Sequence, residues 1–228
     1  KCSALFNIPP ILALNKNPLL TPWDFFTFFN ISLNFLAVTF NSASVEKNGN
    51  GIIFYGQASN LGKSTFAKTL VENCKFNFFS DEKTLVDLGR TLMVSGSRSI
   101  PLRKEIWKRR YPLGEEYKEI TVDKSKTAKT KMMITPHYDH GLAEPIIIKL
   151  DELDLFWNLA GAIARRIRGV TRFVDNFTYQ LPSLDTEELT EKRLKLLKEF
   201  CNQVRGYYFQ GDSSQLVDFM NGEEWLKW

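Results

Sequence analysis

Apolar and polar side chains alternate from Asn30 to Phe35, with Ile31, Leu33 and Phe35 set against Asn30, Ser32 and Asn34. This is the period of a strand with one buried face. The longer stretch from Trp23 to Phe40 is rich in phenylalanine but carries Asp24, Asn30, Ser32 and Asn34. It lacks the run of about 20 apolar residues that a membrane-spanning helix needs, so buried strands are predicted there. "VEKNGNGIIFYG" joins an Asn-Gly-Asn-Gly turn signal to a short apolar run, Ile52 to Tyr55, as a hairpin feeding a buried strand does.

The period changes beyond Gly62. Phe66, Ala67, Leu70, Val71 and Cys74 recur at helical spacing and predict a helix over about 63–73. "KFNFF" and "TLVDL" read as two short strands flanking "SDEK", and "RTLMVSG" as a third. From 103 to 135 no periodicity persists, and ten Lys or Arg stand against five Asp or Glu between Arg103 and Lys131. A basic, loop-rich insertion forming a flap over 107–135 is predicted, with a solvated surface as its simplest role. "EPIIIKLDEL" returns to strand. "LFWNLAGAIARRIRGV" and "TEELTEKRLKLLKEFCNQV" read as amphipathic helices, the second with acidic and capping residues at its start. "YYFQ" is a late strand, and a short helix closes the chain. Interleaved strands and helices give an α/β class with a mixed sheet and flanking helices.

At 228 residues the chain suits one domain spanning 1–228, and 43% hydrophobic with 25% charged residues is enough to bury a sizeable core. A net charge of +4 suits an anionic ligand and is too weak to imply nucleic acid. Cys2, Cys74 and Cys201 are odd in number and form no C-x-x-C pair, which predicts free thiols and a reducing, cytoplasmic compartment. The start of the chain shows no basic region followed by an apolar one, so no signal peptide is predicted.

The chemistry concentrates in "FYGQASNLGKSTFAKTL". A phosphate-binding loop reads G-x-x-x-x-G-K-[ST]; here five residues separate Gly56 from Gly62, one more than usual. The flanking pattern is the required one, strand before and helix after. Gly56, Ser59, Asn60, Leu61, Gly62, Lys63, Ser64 and Thr65 are therefore the predicted nucleotide contacts. Backbone N–H groups and the helix N-terminus would bind phosphate oxygens, Lys63 the β- and γ-phosphates, and the Ser64 hydroxyl a Mg²⁺ ion. Small or turn-prone residues, Ala58, Ser59 and Asn60, can absorb the extra position. Asp81 and Glu82, 18 residues beyond Lys63 and just after, are the predicted carboxylates. They can serve the metal or the attacking hydroxyl, or form a polar turn between two strands.

These residues, with "FFSDEKTLVDL", "PLR", "LAEPIIIKLDEL" and "CNQVRGYYFQGD", resemble the HPr kinase/phosphorylase superfamily, whose P-loop core is shared with phosphoenolpyruvate carboxykinase. The resemblance covers about 40–219. It implies an ATP- and Mg²⁺-dependent kinase acting on a hydroxyl acceptor in a protein, peptide or small molecule. It implies catalytic roles for Lys63 and for Asp81, the base, a metal-side role for Glu82, and a tendency to assemble into homo-oligomers. The chain departs from the family in its longer loop, which has Ser59-Asn60-Leu61 in place of the inner Ser-Gly. Asn41 or a neighbour stands where a histidine is usual, and the glycine-rich signature of true HPr kinases is missing. These departures argue against HPr as substrate and against phosphorylase activity. They leave open a nucleotide-binding regulatory module without transfer chemistry, and the basic loop leaves open a nucleic-acid-associated P-loop protein.

Three other patterns are assigned plainer roles. "HYDH" holds His137, Asp139 and His140, which fit a surface loop better than a metal shell. Arg165, Arg166, Arg168 and Arg172 fit a solvated face, with Arg103 and this group as the alternatives for an arginine serving the transferred phosphoryl. The 18 Phe and 5 Trp fall mainly in apolar runs and fit core packing.

Overall fold

The computed structural model describes residues 37–58, 60–97, 127–167, 170–174, 177–181 and 186–222. Among these residues, nine strands and four helices follow in the order β1 (Ala37–Lys47), β2 (Asn50–Tyr55), α1 (Lys63–Cys74), β3 (Asn77–Asp87), β4 (Leu92–Ser97), β5 (Ala128–Tyr138), β6 (Ile146–Leu150), α2 (Glu152–Ile167), β7 (Val170–Val174), β8 (Phe177–Leu181), α3 (Glu187–Cys201), β9 (Arg205–Gly211) and α4 (Ser213–Gly222). Seven strands form one mixed sheet, and β7 pairs with β8 as a separate antiparallel ribbon.

The predicted hairpin joins β1 to β2. Asn48 and Gly49 take positive φ, 54° and 78°, as a two-residue turn between antiparallel strands requires. β1 pairs on its other side with β3, which pairs with β4, all antiparallel. β2 lies parallel to β5, and β5 parallel to β9. β6 adds antiparallel to β9. The sheet curls far enough that Leu92 and Met93 of β4 meet Lys129 and Ala128, so β5 has β2 on one side and β4, then β9, on the other.

Helices cover both faces. On one, Phe66, Ala67 and Leu70 of α1 and Leu216 and Met220 of α4 pack against Ala43, Val45, Ile52, Phe54, Met132, Ile134 and Phe209. On the other, Leu155, Leu159 and Ile163 of α2 and Leu197, Phe200 and Cys201 of α3 close over Phe40, Ile53, Tyr55, Val86 and Met133. The buried phenylalanines are core residues, as their runs predicted. α3 opens on Thr186, whose hydroxyl accepts the Leu189 N–H at 3.3 Å, and carries Glu187 and Glu188 in its first turn.

The structure differs from the sequence reading in three places. "SDEK" is not a turn between two strands, because β3 runs unbroken from Asn77 to Asp87 through a bulge. Ser80 and Asp81 are buried there, and hydrogen bonds make that burial tolerable. The end of the predicted 103–135 insertion is the central strand β5: Met132, Met133 and Ile134 are buried between β2 and β9. The earlier part of that insertion and the proposed flap, 98–126, lie outside the described residues. The helix predicted from "LFWNLAGAIARRIRGV" ends at Ile167, and Val170 begins a strand instead. No helix among the described residues is long and apolar enough to cross a membrane.

Candidate nucleotide site

β2 delivers the chain to Gly56 at the end of the sheet where the parallel strands β2, β5 and β9 all terminate, the end at which α/β sheets bind ligands. The Gly56 N–H donates to Asn41 O at 3.1 Å, and the Gln57 side chain donates to Ala162 O in α2 at 2.9 Å. These two bonds fix how the loop leaves the sheet. A Cβ on Gly56 would fall 2.5 Å from Leu61 Cδ1, so the Leu61 side chain folds back over the loop's first glycine.

At its far end Gly62 is the residue that starts α1. It sits at φ 86°, ψ 8°, and its carbonyl accepts the first helical bond, from Phe66 N–H at 2.8 Å. That left-handed conformation favours glycine. A Cβ there would also meet Tyr138 Cβ at 2.6 Å. Tyr138 N–H donates to Leu61 O at 3.1 Å, so β5 buttresses the loop from the side opposite α2. Asn60 also takes positive φ, 64°, which is how the extra position is accommodated. Ser59 lies outside the described residues.

No side chain caps α1, and no acidic residue occupies its first turn. The N–H groups of Lys63, Ser64 and Thr65 in that turn have no intrahelical acceptor by the geometry of a helix start. The positive end of the helix thus faces the loop. Lys63 Nζ reaches back over the loop to Ala58 O at 2.8 Å. Thr65 is exposed, and its carbonyl accepts from Thr69 Oγ1 at 3.0 Å.

The carboxylate comes from β3. Ser64 Oγ donates to Asp81 Oδ1 at 2.7 Å. Asp81 is 2% exposed, and its Oδ2 is buried with no hydrogen-bond partner. Burial pushes its carboxyl above the ordinary carboxylate range; the Ser64 hydroxyl, the Glu82 N–H and Lys63 pull the other way, while the Glu82 carboxylate pushes it further up. Glu82 itself is exposed and takes φ 64°. The two carboxylates predicted to work together therefore leave the strand differently, Asp81 into the loop and Glu82 into solvent.

The remaining sequence candidates divide. His137 and His140 are exposed beside the loop's buttress. Asp139 between them accepts from Gly141 N–H at 2.9 Å and Gln210 Nε2 at 3.0 Å, which hold its carboxyl below its usual range. No cluster of three or more His, Cys, Asp or Glu side chains occurs among the described residues, and "HYDH" is not wholly a loop, since His137 and Tyr138 end strand β5. Arg165 and Arg166 lie in the last turn of α2 and Arg172 in β7. Arg103 and Arg168 lie outside the described residues. Sequence reasoning missed Tyr138 and Gln57, the two residues that fasten the loop to its neighbours. Their signal is tertiary, since neither belongs to the loop motif's fixed positions. No known protein-family model and no curated protein matches this chain.

Proposed function

We propose that the chain binds a nucleoside triphosphate at the 56–65 loop and transfers its terminal phosphoryl group to a hydroxyl acceptor, as a kinase. The observation that carries this reading is the Ser64–Asp81 pair at an uncapped helix N-terminus behind a glycine-flanked loop. The N–H groups of a helix start, its dipole and a lysine suit a polyphosphate. A buried carboxylate oxygen without a partner, next to a serine hydroxyl, suits a hard cation that prefers oxygen ligands. A Mg²⁺ ion fits these residues: Ser64 would hold it with Asp81 or Glu82 beside it, and when bound it neutralises charge on the phosphates.

The chain's own residues would do the following. The N–H groups of Gly62 to Thr65 bind and orient phosphate oxygens, and Lys63 exchanges the Ala58 carbonyl for the transferring group. Asp81 Oδ1 orients the Ser64 hydroxyl. Asp81 Oδ2 takes the proton of the acceptor hydroxyl as the acceptor oxygen bonds to the terminal phosphorus and the bond to the bridging oxygen breaks. Its raised proton affinity favours that role, because a base works best when its pKa approaches the working pH.

A regulatory nucleotide-binding module without transfer is the second reading, and the closure of Asp81 favours it. At 2% exposure an acceptor reaches Oδ2 only after the site opens. Calorimetry with Mg²⁺–ATP on wild type and on Lys63→Ala tests binding, and phosphotransfer by Asp81→Asn tests chemistry. A kinase requires wild-type binding, its loss in Lys63→Ala, and turnover that falls by about 10² or more in Asp81→Asn with ATP affinity changed only a few-fold. Tight binding without turnover supports the module; no binding at millimolar ATP refutes both.

A further inference from the structure

The pairing of β3 with β4 shifts register where Asp81 and Glu82 stand. Asp81 pairs with Ser97 and the next pair is Thr84 with Gly96, so Glu82 and Lys83 face no residue of β4. Glu82 adopts φ 64°, a conformation that costs a residue with a Cβ and persists only when its surroundings impose it.

Two features impose it. Behind the bulge, Ser42, Ser44, Ser80 and Thr84 are each 0% exposed. Ser44, Ser80 and Thr84 form a closed triangle of hydroxyls, with Ser44–Ser80 at 2.6 Å, Ser80–Thr84 at 2.7 Å and Ser44–Thr84 at 3.0 Å. The triangle has one hydroxyl hydrogen for each edge, and the Ser42 hydroxyl is shared between Thr84 Oγ1 at 2.8 Å and Phe40 O at 3.1 Å. A threonine hydroxyl offers one donor and two acceptor positions, and Thr84 uses all of them. Its edge to Ser80 bridges the bulge from one side to the other. In front, a Cβ on Gly96 would lie 2.2 Å from Ser80 Cβ and 2.5 Å from Lys83 O, so β4 presses bare backbone on the same bulge.

We propose that Thr84 is a positioning residue, the hub of a hydroxyl triangle that, with Gly96, holds the bulge so that Asp81 faces Ser64 while Glu82 faces solvent. Its functional consequence rests on the nucleotide reading of the loop; its structural consequence does not. Burying four hydroxyls is tolerable only if their bonds are kept, and removing the hub deletes three bonds at once, leaving the Ser44–Ser80 edge and the Ser42 bond to Phe40 O. The bulge then has no internal brace, and Asp81 loses the orientation that meets Ser64.

The test uses the full chain and two readouts. The Cα and Cβ chemical shifts of Glu82 report its backbone conformation, and calorimetry with ADP, with and without Mg²⁺, reports the metal-dependent part of binding. Thr84→Val keeps the shape and deletes the hydroxyl. It is expected to remove the left-handed signature of Glu82 and to lower the Mg²⁺ enhancement of ADP affinity by about tenfold or more, with Mg²⁺-free ADP affinity within about twofold. Thr84→Ser, which keeps the hydroxyl, restores both. If Thr84→Val does not fold, Ser80→Ala, which leaves the Ser44–Thr84 edge, is read the same way. A folded hydroxyl-deleted variant that keeps the Glu82 signature and full Mg²⁺ enhancement overturns the proposal. If wild type binds no ADP, the nucleotide reading falls, and the Glu82 shifts alone decide whether Thr84 positions the bulge.

Discussion

Gly62→Ala places a single methyl group at the most constrained point of the loop. The backbone there, φ 86° and ψ 8°, costs an alanine about 1–2 kcal/mol that glycine does not incur. The new Cβ would start 2.6 Å from Tyr138 Cβ, whereas carbon atoms settle at about 3.5–4.0 Å, so loop and strand must separate by about 1 Å. That movement strains the Tyr138 N–H to Leu61 O bond, now 3.1 Å, a bond worth about 0.5–1.5 kcal/mol. Together these give a destabilisation of about 2–3 kcal/mol, equivalent to a melting-temperature drop of roughly 4–12 °C for a chain of this size. Circular dichroism melts and urea titrations measure it. A double-mutant cycle with Tyr138→Gly isolates the contact: the second substitution removes the colliding Cβ, so the pair should be coupled by about 0.5 kcal/mol or more in the relieving direction. A Gly62→Ala protein that melts within about 1 °C of wild type, or strictly additive single effects, would show that Gly62 is not pressed against Tyr138 of β5 as described.

Other consequences can be measured directly. A carboxyl whose folded pKa is raised disfavours folding once pH exceeds that pKa and is without effect below its unfolded pKa. Metal-free Asp81→Asn is therefore expected to melt higher than wild type at pH 7, with the gain shrinking as pH falls towards about 4; a lower melting temperature at pH 7 contradicts the buried charge. Burial pushes the Cys201 thiol up to about 12, so native-state alkylation followed by peptide mapping should label the half-buried Cys74 first and Cys201 only on unfolding. Ile146, Ile147 and Ile148 of the edge strand β6 are 44%, 39% and 52% exposed, so Ile148→Lys should reduce concentration-dependent self-association in sedimentation velocity; unchanged association excludes that edge.

What the sequence revealed and what it hid follow from the range of the interactions involved. The 48–49 turn, the strand into Gly56 and helix α1 rest on contacts within a few residues, and hydrophobic period with turn chemistry was sufficient for them. Strand β5 was misread because Lys129, Lys131 and Thr135 interrupt its apolar run, and its strand character comes from β2 and β9, which lie far away in sequence. The continuity of β3 was hidden for a related reason. "SDEK" is polar enough for a turn, and Ser44 and Ser64, supplied from elsewhere, together with Thr84 of the same strand, allow Ser80 and Asp81 to be buried. For the site, the motif located Gly62, Lys63 and Ser64 and suggested Asp81. The contrast between a buried Asp81 and an exposed Glu82 depends on one positive φ that no residue type announces.

The threefold partnering of β5 also bears on the order in which the protein assembles. β1 to β4 form antiparallel pairs within 37–97, with α1 crossing between them, and can meet while the chain is short. The parallel pairs are distant: Asn50 meets Lys129, and Met132 meets Arg205. Closing such loops is slow because chain entropy is lost before the contacts form. The buttress that Tyr138 gives Gly62 therefore arrives only after β5 has docked on β2, and the second flank of β5, begun by β4 at Ala128 and Lys129, is completed only when β9 follows. A chain emerging from the ribosome carries the complete loop sequence long before it carries a loop of fixed shape. On the nucleotide reading proposed above, affinity is expected to appear as one of the last properties of the maturing chain, once residues up to 211 are free to pair.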